Sequence, residues 1–214
     1  MKLRCLSIFA AGMLCAVAAL ADGVGVGGDG PFQVRYASNL PIGDSVINIT
    51  NTGARSTQAF PTQNGNICVN VYTFSPDEQL ISCCACPITP DGLVSLSARN
   101  DLISNTLTPG VPTSIVIKLL ATYAGSGPCN AGVVATFGDE AGMAAWGTTI
   151  HALPVTPGSP ATTYGTTETK FTNATLSPAE FTRITQLCGF IQTNGSGFGI
   201  CKSCRFGGLG AVQP

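Results

Sequence analysis

The chain has 214 residues, only 10% of them Asp, Glu, Lys or Arg, and a formal net charge of -1. So weak a field excludes proteins that hold nucleic acid or an anionic membrane by charge, because both need a basic face. The 44% hydrophobic content and ten cysteines point instead to a packed, crosslinked domain.

Lys2 and Arg4 precede an apolar run from 6 to 20, and Ala19-Leu20-Ala21 offers the small residues a signal peptidase needs. Residues 1–21 read as a signal peptide. As a helix, about 15 to 16 apolar residues span roughly 24 Å, short of a hydrocarbon core of about 30 Å. Cleavage is therefore expected over anchoring, with no membrane span left after signal removal. Cys15 follows the bulky Leu14, which argues against lipid attachment. Without Lys2 and Arg4, eight basic side chains face eleven acidic ones. The expected location is secreted, extracellular or at the cell surface, and the periplasm is compatible with it.

Residues 22–30 contain five glycines with Val24 and Val26 in alternation. Ordering so many glycines is costly, so this segment is expected to be a flexible terminus, or an assembly strand where it meets an exposed sheet edge. Short alternating segments follow at 32–36, 45–51, 67–74, 79–86, 93–98, 113–123, 131–137 and 146–152, punctuated by Gly, Pro, Asn and Asp. Ser75-Pro76-Asp77-Glu78 supplies a turn between the third and fourth, and Asp91 reads as a turn former. Near 178–192 a helix is expected. Ser177 caps it, Pro178 suits its first turn, Glu180 completes a capping box, and Phe181, Ile184, Leu187, Cys188 and Ile191 form an apolar stripe. The tail, 205–214, is Gly-rich, and Phe206 and Leu209 make it a second candidate assembly segment.

The expected fold is mainly β. Short strands between Gly and Pro turns favour a disulfide-stapled antiparallel β-sandwich, immunoglobulin-like in one variant, with the C-terminal helix packed on it. Residues 31–204 would form one domain.

Eight cysteines lie beyond the signal: Cys68, Cys83, Cys84, Cys86, Cys129, Cys188, Cys201 and Cys204. An even number in an exported chain argues for disulfides. Along a strand, Cys84 and Cys86 share one face and Cys83 takes the other. Counting the hairpin outward from Phe74 opposite Gln79 brings Cys68 near Ala85, and a Cys68 to Cys86 bond is the favoured pairing. Cys188 is expected to bond to the sheet, to Cys201 or to Cys204. The spacings Cys83 to Cys86 and Cys201 to Cys204 would suit zinc in a reduced compartment, but oxidised thiols cannot ligate it. No metal and no cofactor are expected.

No catalytic constellation stands out. His151 is the single histidine, at a strand end, and the pairs Asp77-Glu78 and Asp139-Glu140 sit beside turn signals. Trp146, Tyr36, Tyr72, Tyr123 and Tyr164 are candidate ligand-binding residues, because sugar rings need apolar stacking beside amides and hydroxyls. For Trp146 a core role is the stronger expectation. Asn48, Asn173 and Asn194 each begin a glycosylation triplet.

The stretch Ile67-Cys68-Val69-Asn70-Val71-Tyr72, with Leu80-Ile81-Ser82-Cys83-Cys84-Ala85-Cys86-Pro87 and Pro90-Asp91-Gly92-Leu93, resembles a group of uncharacterised secreted proteins of environmental bacteria such as Acidobacteria. The resemblance spans about residues 67 to 123 and implies no catalytic residue. The functional expectation is a secreted or cell-surface structural or adhesion-type protein without catalytic activity. Its partners would be further copies in a homo-oligomer or surface polymer, joined through the terminal segments. The alternative is an extracellular glycan-binding module.

Overall fold

The computed structural model describes residues 30–54, 65–103, 110–124, 128–134, 142–153 and 164–193. Among them, chain order gives β1 (Phe32–Ser38), β2 (Ser45–Asn51), β3 (Ile67–Phe74), β4 (Leu80–Ile88), β5 (Leu93–Ser97), β6 (Ser114–Tyr123), β7 (Met143–Ala152), β8 (Tyr164–Lys170), β9 (Thr172–Asn173) and helix α1 (Pro178–Thr193). A π-helical turn, Ala98–Leu102, follows β5. One sheet runs β4-β3-β6-β1-β9 and the other β5-β2-β7-β8, with every pairing antiparallel. No helix among the described residues is long and apolar enough to cross a membrane.

The five-stranded sheet packs on the other sheet with one face and, around β3 and β4, on helix α1 with the other. Every residue of β3 is buried, which a central strand requires when neither face meets water. Ile67, Val69 and Val71 join Ile115, Ile117 and Leu119 of β6 against Ile47, Ile49, Val94, Leu96 and Met143 of the other sheet. On the opposite side Tyr72, Phe74, Leu120 and Cys83 meet Ile184, Cys188 and Ile191 of α1. Each such aliphatic side chain contributes about 1.5 to 3 kcal/mol by leaving water. The molecule is thus a two-sheet sandwich with a helix as a third layer, and the expected stripe on α1 is the face that docks.

Covalent bonds fix this third layer. Cys83, on the helix side of β4, bonds to Cys188, and Cys68 bonds to Cys129, with Cα separations of 5.8 and 5.6 Å. Each typically adds about 2 to 4 kcal/mol by restricting the unfolded chain. The expected Cys68 to Cys86 bond is not formed. Phe74 faces Leu80, and a register shift beside Thr73 places Cys68 opposite Pro87, with Val69 opposite Cys86. Directly opposed residues share a face, so Cys68 points to the helix side and Cys86 into the sandwich. Cys84 and Cys86 are themselves disulfide-bonded, which removes the three β4 thiols from metal binding. Two residues apart on a strand, their Cβ atoms sit about 7 Å from each other, too far for a mutual bond.

The first turn of α1 departs from the expected capping box. Ser177 Oγ accepts from Glu180 N at 3.2 Å as expected, but the Glu180 carboxylate turns to Lys118 Nζ at 2.5 Å and to Arg183 at 3.4 Å. Burial works against its charge, yet the hydrogen bond from Lys118 and the two cations outweigh this and hold Glu180 below the usual carboxylate range. Both cations also lie over the Phe74 ring, at 4.7 and 5.6 Å.

Arg35 joins the sheets from within. It is only 7% exposed, and its guanidinium donates to Thr169 Oγ1 at 3.2 Å, Ser45 Oγ at 3.4 Å and Thr149 Oγ1 at 2.8 Å. The Phe171 ring centre lies 5.9 Å away. One side chain of β1 thereby grips β2, β7 and β8, and burial lowers its pKa. The space it fills exists because position 147 is glycine: a Cβ there would overlap the guanidinium. A similar close approach occurs where Gly132 meets Gly189 of α1.

The segment expected as a strand at 131–137 is a turn over its described part, 131–134. It presents the Ala131 carbonyl to the Tyr72 hydroxyl at 2.9 Å. β8 and β9 were not expected, since β8 has no apolar alternation.

Two measurements test this architecture. Peptide mapping without reduction should recover Cys68 with Cys129 and Cys83 with Cys188, and should find Cys84 and Cys86 both oxidised; a free thiol at Cys84 or Cys86 would contradict it. Denaturant unfolding of Gly147→Ala should show a loss of about 2 to 3 kcal/mol, since overpacking here also evicts a buried cation from its acceptors.

Candidate ligand-binding face

The outer face of the four-stranded sheet is assembled by register. Ser95, Asn48, Trp146 and Lys170 form one row across β5, β2, β7 and β8, and Ser97, Val46, Thr148 and Glu168 the next. Ile150 and Thr166 come after them, then Ala152 and Tyr164. Inward residues alternate with these, among them Thr149 and Thr169 on Arg35. Ser95 Oγ donates to Asn48 Oδ1 at 2.6 Å and Thr148 Oγ1 to Glu168 Oε1 at 3.2 Å, so the face is a lattice of hydroxyls and amides around one indole.

At the Tyr164 end the face deepens into a cleft of about 540 Å³. Ile150 and Thr166 line it from the sheet, Ile42, Gly43 and Asp44 from the β1–β2 loop, Arg99 and Asn100 from the π-helical turn, and Tyr164 from the edge strand. Tyr164 and Ile42 are 53% and 50% exposed, which leaves apolar surface at the rim of the cleft open to a ligand.

Asp44 braces the two loops. One oxygen accepts from Ser45 N at 2.7 Å and Arg99 N at 3.0 Å, the other from Ser97 Oγ at 2.5 Å. Ser97 caps the π-helical turn, its hydroxyl accepting from Asn100 N at 2.9 Å while its amide donates to Asp101 at 2.7 Å. Arg99 Nη1 donates to the Gly43 carbonyl at 3.3 Å, and no carboxylate pairs with its guanidinium among the described residues. The β1–β2 loop turns on Asn39, whose φ is 62° and whose carbonyl accepts from Ile42 and Gly43. Its side-chain amide lies 3.0 Å from His151 Nδ1. His151 thus sits at a strand end as expected, facing inward behind the cleft.

The five candidate aromatic residues do not form one surface. Tyr72 is fully buried, and burial pushes its phenol pKa far up; it is a core residue because its hydroxyl has the Ala131 carbonyl to satisfy it. Tyr36 is exposed on the helix side of β1, and Tyr123 ends β6 opposite Ile67. Trp146 and Tyr164 do share a face. Trp146 is half-buried on the outer side of β7, so the expected core role gives way to a surface one. Asn48 belongs to the same face, whereas exposed Asn173 lies on β9. Val24, Val26, Asn194, Cys201, Cys204, Phe206 and Leu209 lie outside the described residues.

Sequence reasoning missed Asp44, Arg99 and Asn100, which carry no motif and meet only through the register of β2 with β5. No family model, curated protein or solved structure matches the chain.

Replacing Asp44 by Ala should cost about 1 to 2 kcal/mol, because it strands two amides and a hydroxyl that are partly buried. Hydrogen exchange should report faster exchange at Ser45 and Arg99 while β3 stays protected.

Proposed function

We propose that this chain is an extracytoplasmic, adhesion-type β-module that binds glycan through the outer face of its four-stranded sheet. The observation that carries the reading is the exposed Tyr164 ring at the rim of a cleft walled by Arg99, Asn100 and Thr166. A sugar needs an apolar plate for its ring face and donors and acceptors for its hydroxyls, and both are there at close quarters. The disulfides support an oxidising compartment. A non-catalytic role is supported by Asp44, the cleft carboxylate, since both its oxygens are committed to holding loops. The self-assembly expected of the terminal segments rests on residues outside those described.

Titration calorimetry of the disulfide-intact protein against cello-, xylo- and manno-oligosaccharides tests this. Wild type should bind at least one series, and Tyr164→Ala should weaken it about tenfold, or about 1.4 kcal/mol. Wild-type protein that binds none of them would overturn the reading.

A further inference from the structure

We infer that the ligand is a linear, uncharged polysaccharide lying along β7 and β8, with Tyr164 and Trp146 as its two stacking points. The inference rests on the glycan reading above and gives it a substrate class and a second subsite.

Length comes first. From Trp146, opposite Lys170, to Tyr164, opposite Ala152, the register advances six residues along β7, about 20 Å at the rise of a strand. A single sugar ring fills one stacking point and leaves the other bare. Only a chain of several units reaches both, and the strand direction sets its path.

Chemistry comes second. Between the two rings the outer face of β7 and β8 carries Thr148, Glu168, Ile150 and Thr166, with Val46 beside Thr148 and the Asn48–Ser95 pair beside Trp146. Hydroxyl and amide groups with small apolar patches match a sugar chain, whose rims are hydroxyls and whose ring faces are hydrocarbon.

Charge comes third. Asp44 and Glu168 are balanced on this face by Arg99 and Lys170, so no net field draws a polyanion or a polycation. A neutral chain loses nothing by this, and a uronate polymer gains nothing, since it would meet the two carboxylates as well as the two cations along its length.

Trp146 is the one tryptophan of the chain, so tryptophan fluorescence reads this subsite alone. Cello-, xylo- and manno-oligosaccharides from two to six units, with length-matched oligogalacturonates, are titrated into the intact protein. For the series that binds, affinity should rise at least tenfold from dimer to hexamer, and the fluorescence should change only with the longer members. Trp146→Ala should abolish that rise, and Trp146→Phe should restore most of it. Equal affinity at every length, or a preference for oligogalacturonate, would overturn the inference and leave glycan binding at the cleft standing. Absence of all binding would remove both.

Discussion

Burial of the five-stranded sheet on both faces around β3 is the constraint from which the rest of the architecture follows. A strand such as β3, wholly enclosed, demands a layer on each side, and this chain supplies a sheet on one and α1 on the other. The alternation of cysteines in β4 mirrors that demand: Cys83 faces the helix and is bonded to it, while Cys84 and Cys86 face the sandwich. With few charges to keep layers apart and few to tie them together, sulfur and hydrocarbon do the joining.

This arrangement decides where a ligand has room. The five-stranded sheet spends one face on the sandwich and much of the other on α1, whereas the outer face of β5-β2-β7-β8 carries no layer among the described residues. Its rigidity comes from below, where Arg35 spans the interior to hold β2, β7 and β8 through three hydroxyls. A binding surface on strands so held needs little ordering when a ligand arrives, which lowers the entropic cost of recognition.

The fold class was legible because short alternating segments between Gly and Pro turns leave little choice, and α1 was legible from its cap and stripe. Finer features were hidden for physical reasons. In Phe32-Gln33-Val34-Arg35-Tyr36 the apolar residues alternate as if Gln33 and Arg35 faced solvent, yet both are buried between the sheets and Tyr36 is exposed. Alternation points to the core only when the apolar face is the more buried one, and on β1 the apolar Val34 and Tyr36 lie on the partly wet helix side. β8, Tyr-Gly-Thr-Thr-Glu-Thr-Lys, hid because an exposed edge strand needs no apolar period. The extra residue at Ile81 shifted the hairpin register and with it the partner of Cys68. Of the candidate site, the sequence showed aromatic residues but could not say that Trp146 and Tyr164 share a face while Tyr72 does not. That distinction comes from strand parity and from the carbonyl that happens to meet the Tyr72 hydroxyl.

Arg35 and Gly147 occupy, in effect, a single volume contributed from two places in the chain. Neither position is free to drift alone: any side chain at 147 expels the guanidinium, and a shorter residue at 35 leaves a hole lined by hydroxyls that have lost their donor. Related chains should therefore inherit the two as one character, both kept or both exchanged, so that a bulky residue at the second position would foretell a small apolar one at the first.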